Sequence, residues 1–247
     1  MAKKTMDFIN EAENTMEGFE DVNSQTMAIP FIKLAQDLTP QVKKTKPEYI
    51  EGLDVGQFFN SVTGDIYGST FDVIIVKFER IYIEWLPDRG GFVGYHSPEV
   101  AESMAQDHTF GKWKTADGND LVEYYAYYVL ISGREEEGPL IMSLTSTAIK
   151  TAKMLNRMMT THMMDMGDGK PRMRAKPYYL VYTVEAVAMS KGPNDFYGYK
   201  FVFKDYITKT QDLLITTERK ALPAKTVDYA LLESGTGEGT SEKETDF

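Results

Sequence analysis

Phe71–Trp85, FDVIIVKFERIYIEW, is the longest strand-forming run in the chain. Its residues are mostly β-branched or aromatic. Lys77, Glu79, Arg80 and Glu84 fall only where one face could reach water. The run therefore reads as strand, within a pattern that is strand-like from Phe58 onward. Beyond it, Leu86–Gly94 (LPDRGGFVG) holds Pro, Asp and a Gly pair and reads as a turn. Asp117-Gly118 marks a tight turn between a strand through Trp113 and one at Leu121–Ser132. Gly133–Gly138 leads into another short strand, Pro139–Thr145. On the other side, 26–57 reads as irregular, punctuated by Pro30, Pro40 and Pro47.

The period changes at Ser146. Ser146–Met164 has no Gly or Pro and predicts a helix, with Ser146 or Thr147 as N-cap. Ile149, Ala152, Leu155 and Met159 share one face; Lys150, Lys153 and Arg157 share another. Asp165–Pro177 is a loop rich in Gly, Pro and base. Strands resume at Tyr178–Ser190 and Phe196–Lys204, and Asp205–Leu222 predicts a further helix. Residues 1–25 read as a short helix or arm, 26–232 as a single domain, and 233–247 as a disordered acidic tail too polar to bury itself. The expected fold is mainly β with α: an OB-like antiparallel β-barrel with an inserted helix and flanking helices. No βαβ alternation supports a parallel sheet.

The 247 residues are enough to bury a sizeable core without staples, and there is no cysteine. Disulfide scaffolds, thiol nucleophiles and Cys-ligated metals are excluded. No apolar run approaches a membrane span, and the first residues lack the apolar core of a secretory signal, so a cytoplasmic protein is expected. The net charge of −10 is unevenly placed. Residues 1–23 and 233–247 each carry −4. Residues 139–177 carry +5, from Lys150, Lys153, Arg157, Lys170, Arg172, Arg174 and Lys176 against Asp165 and Asp168. A solvated helix face is the plain alternative to a binding surface.

Catalytic signatures are missing. There is no phosphate-binding GxxxxGK[ST] and no GxSxG. His96, His108 and His162 are far apart, and the paired carboxylates lie in turns, where Asp serves the backbone. The expectation is a non-catalytic protein without cofactor or metal.

Aromatic and basic residues interleave at Trp85, Arg89 and Phe92, at Lys112-Trp113-Lys114, and along Phe196–Lys204, where Lys200 and Lys204 share a face. Rings stack on bases without sequence preference, and neighbouring cations track phosphates. The same rings also serve as core or cross-strand pairs. If Trp85 or Trp113 stacks on a base, an oligonucleotide quenches intrinsic fluorescence. Half of the 14 methionines fall in 154–173 and serve either core or a subunit interface.

The chain ends SEKETDF, with Glu238, Glu242, Glu244 and Asp246 before a terminal Phe247. This resembles the tail of bacterial and phage single-stranded DNA-binding proteins. The body, from Ile29-Pro30-Phe31 through Phe58-Phe59-Asn60 to the Ser146–Met159 helix, is similar to small phage replication or recombination proteins. The resemblance implies a non-catalytic OB-fold protein that coats single-stranded DNA. It also implies recruitment of polymerase, helicase or recombinase through Glu242, Glu244, Asp246 and Phe247, and a possible homo-oligomer. The alternatives are a single-strand annealing protein and a structural or host-interaction phage protein.

Overall fold

The computed structural model describes residues 29–87, 90–109, 113–222 and 229. The described chain begins with three short strands, β1 (Phe31–Leu34), β2 (Phe58–Asn60) and β3 (Ile66–Gly68), followed by the long β4 (Thr70–Trp85). A small lobe follows: β5 (Phe92–His96), α1 (Pro98–Met104), β6 (Ala105–Asp107) and β7 (Trp113–Thr115). Next come β8 (Asp120–Ile131), β9 (Leu140–Thr145) and α2 (Ile149–Thr161). The minimal pair β10 (Met163–Met164) and β11 (Met173–Arg174), the hairpin β12 (Leu180–Lys191) and β13 (Asn194–Tyr206), and α3 (Lys209–Ala221) complete the order.

β4 is the spine. β8 pairs antiparallel along nearly all of one side of it, with a bulge at Ile75–Lys77 that adds twist. On the other side, Thr70–Ile74 pair with β12 and Tyr82–Trp85 with β5. The main strand order is β13-β12-β4-β8-β9-β1-β2-β3. Every neighbouring pair on this path for which a register is defined is antiparallel except β1 and β9, which are parallel. The sheet is therefore mixed, and it curls into an open half-barrel rather than a closed antiparallel barrel. β1 lies inside the stretch read as irregular. Its four residues, FIKL, are too few to show an alternation, and the long-range partners β2 and β9 make it a strand.

The curl brings the two ends of the strand order together. Phe58 of β2 meets Tyr199 of β13 at 5.7 Å between ring centroids. The Gln36 carboxamide spans the remaining gap. Its Nε2 donates to the Tyr197 carbonyl and its Oε1 accepts from the Tyr197 N–H, both at 2.8 Å. The Tyr197 ring rests on Gly56, whose φ is +82°; a Cβ there would lie 2.7 Å from the ring. Gly56→Ala is expected to cost about 1–3 kcal/mol through left-handed strain plus this clash. The check is a lower urea midpoint.

Both faces of the sheet are covered. On the concave face, Val73, Tyr125, Tyr127, Met142 and Tyr182 pack with Ala152, Leu155 and Met159 of α2. On the other, Ile74, Tyr124, Tyr128 and Leu130 pack with Ile215 of α3 and with Tyr229. This explains the tyrosine run in β8: alternate rings enter different cores. The small lobe has its own cluster of Tyr82, Ala101, Ala105 and Leu121.

Helix boundaries differ locally from expectation. Ser146–Ala148 form one turn of 3-10 helix, so α2 starts at Ile149 behind Ala148 and has no side-chain cap. Ser146 has φ +52°, which withdraws it from capping geometry. α3 is capped fully: Thr208 and Gln211 form a reciprocal capping box.

Candidate nucleic-acid interface

α2 is set against the sheet by Tyr127. Its ring is buried, and its hydroxyl shares its one proton between the Ala152 carbonyl at 3.0 Å and Asn156 Oδ1 at 2.9 Å. With Ala152, Leu155 and Met159 buried, the opposite face is fixed outward. Lys150, Lys153 and Arg157 lie on that face, all exposed. At about 1.5 Å per residue they span ~10 Å.

Between α2 and β13 runs a groove of about 140 Å³, lined by Thr151, Met154, Leu155 and Met158 on one bank and Tyr199, Lys200 and Phe201 on the other. Met154 is 60% exposed at its rim. Past the end of α2, β10 and β11 pair through Met163 with Arg174 and Met164 with Met173. The segment read as a loop is thus a minimal hairpin. Arg172 Nη2 donates to the Met163 carbonyl across it, and its turn uses positive φ at Gly167, Asp168 and Gly169. Lys170, Arg172, Arg174 and Lys176 are all exposed on or beside this hairpin. A hydrogen bond to Tyr178 holds the Lys176 ammonium above the ordinary lysine range.

The candidate cations differ in their partners. On β4, β7 and β13 each has a carboxylate: Lys77 with Glu79, Arg80 with Glu123, Lys114 with Asp120, Lys200 with Glu185 and Lys204 with Asp72. Among the described residues, none of the seven in 150–176 has an ion-pair partner. The helix cations and the hairpin cations thus share exposure and the lack of a carboxylate partner among the described residues. The structure ties Lys114, Lys200 and Lys204 into surface pairs.

The tryptophans are placed differently from the stacking expectation. Trp85 is 2% exposed in the core, and Phe92 packs edge-on against it. Trp113 stacks on Tyr82 at 4.9 Å with His108 at its edge, inside the small lobe. A buried ring has no face for a base, so Trp85 is withdrawn from the surface set. Arg89, Lys112 and the tail residues Glu242, Glu244, Asp246 and Phe247 lie outside the described residues, as does the 1–25 arm. Tyr178, Tyr179 and Arg219, which the sequence reading did not single out as ligands, lie beside Lys176.

Residues 1–222 match the family described as Pam3 phage gp34-like protein. The chain belongs to that family. No curated protein and no solved structure matches. In this gp34-like chain, no helix among the described residues is long and apolar enough to cross a membrane. No described cluster of His, Asp or Glu is arranged to hold a metal ion.

The placement of the rings reverses one expectation for the gp34-like chain. Adding oligo-dT is expected to leave intrinsic tryptophan fluorescence essentially unchanged, because both indoles are packed away from α2. A strong quench at saturating oligonucleotide would place the strand on the small lobe instead.

Proposed function

We propose that this chain is a phage single-stranded DNA-binding protein that acts without catalysis. The observation that carries the reading is the row of exposed, unpaired cations on α2 and the β10–β11 hairpin, beside an apolar groove. Single-strand binders of broad specificity combine a cationic track for the backbone with apolar or aromatic contacts for bases. Here Lys150, Lys153 and Arg157 supply the track, and Met154, Met158 and the β13 rings line the groove. The OB-like reading enters in reduced form: the curved strand face beside α2 takes the role of the barrel's binding face. The acidic ends contribute recruitment of replication or recombination enzymes in the host cytoplasm, with Glu242, Glu244, Asp246 and Phe247 as the contact.

A gel shift with a labelled single strand and a duplex of equal length tests this reading. Retention of the single strand in preference to the duplex, independent of sequence, is expected. No retention of either moves the structural or host-interaction reading ahead. Accelerated pairing of complementary strands by the bound protein would replace coating with annealing.

A further inference from the structure

The cationic track continues past the hairpin. The Ala175 N–H donates to the His162 carbonyl, so the chain after β11 returns to the end of α2. There the Lys176 ammonium lies 5.8 Å from the Tyr178 ring centroid and 5.7 Å from that of Tyr179. Arg219 of α3 lies 3.9 Å from the Tyr178 centroid. The two tyrosine rings meet edge to face at 4.9 Å. Neither cation has a carboxylate partner among the described residues. Both cations lie over the Tyr178 ring and the Arg219 charge acts on the Lys176 ammonium, so a neighbouring anion would offset their repulsion.

Tyr179 also borders an open cleft of about 230 Å³. Its other walls are Met164, Tyr206 and Ile207, with Lys209 and Asp212 on the α3 side. The lining is mainly apolar, and its parts are fixed. The Tyr179 carbonyl accepts from the Ile207 N–H, and His162 Nε2 lies 3.0 Å from the Tyr206 hydroxyl. A flat, tyrosine-walled cleft beside an unpaired cation couple has the chemistry of a nucleotide subsite: an apolar slot for the base and positive charge for the phosphate.

We infer that this cleft takes one nucleobase of a bound strand while Lys176 and Arg219 hold the adjoining phosphate, an inference that rests on the single-strand reading above. Asp212 keeps the phosphate on the Lys176–Arg219 side by repulsion and accepts from an N–H on the base edge. The track then runs from α2 over the hairpin to α3, and the cleft is its far end.

Photocrosslinking of the full chain to oligo-dT carrying iododeoxyuridine, with adducts mapped by mass spectrometry, tests the site. Adducts at Tyr179 or Tyr206 are expected. The Lys176→Ala, Arg219→Ala double variant should lose them. It should also make the slope of log K against log salt shallower by about 0.7, the share of the one phosphate that the pair holds, with the variant still folded by its melting curve. Binding with adducts only elsewhere and an unaltered slope overturns the cleft and leaves the single-strand reading standing. Absence of binding by the unmodified chain overturns both. Excess dTMP that removes the adducts without releasing the oligonucleotide would assign the cleft to a free nucleotide, against the inference.

Discussion

Replacing Lys150, Lys153 and Arg157 together by Ala is expected to lower affinity for oligo-dT about a hundredfold at ~0.1 M salt. The size follows from counterion release. Each phosphate contact on a single strand contributes a slope of about 0.7 in log K against log salt, or roughly fivefold at ~0.1 M relative to ~1 M, and three contacts compound to ~10². The loss should shrink as salt rises and be the same for every sequence. All three side chains are exposed and form no ion pair among the described residues, so thermal stability should be unchanged. Anisotropy titrations across a salt series, with a melting curve for the variant, give both quantities. A variant that melts early and keeps its salt slope would assign these cations a structural role.

Tyr127→Ala is expected to destabilise the fold by about 3–5 kcal/mol, the usual cost of emptying a buried aromatic site. Domains have only about 5–15 kcal/mol in total, so much of the margin disappears. Tyr127 is fully buried between β8 and α2, and its hydroxyl bonds to the Ala152 carbonyl and to Asn156 Oδ1 of that helix. Tyr127→Phe keeps the ring and loses those bonds, so it should cost ~1 kcal/mol. Urea unfolding of both variants separates packing from hydrogen bonding. Equal, small losses would mean that α2 is held elsewhere, and the outward aim of its cationic face would need another cause.

The parts of the fold legible in the sequence are those with a strong local period. Phe71–Trp85 is β4 almost residue for residue, and the Asp117-Gly118 turn and the β12–β13 hairpin follow from their own residues. The buried face of α2 is also plain from spacing, and its cations follow by elimination. What was not legible is long-range. β1 exists through β2 and β9, and the gap of the open half-barrel is bridged by Gln36 and Tyr197, 161 residues apart. β5 and α1 were hidden by a Gly-rich lead-in, although Ser97-Pro98 is a helix-start signal: Ser97 caps Val100 in the structure. At the site, composition located the basic segment but could not rank the rings. A Trp in a strand reads alike whether it faces core or water, and Trp85 faces core. Tyr178 and Tyr179 gave a signal as a tyrosine pair next to base, but the approach of Arg219 from α3 is visible only in three dimensions.

Single-strand affinity measured against salt tests the central claim most directly. With about four phosphate contacts drawn from Lys150, Lys153, Arg157, Arg172, Arg174 and Lys176, log K for oligo-dT against log salt should fall with a slope near −3, from ~0.7 per contact. A salt-independent affinity, or no detectable binding at the lowest salt, would contradict it.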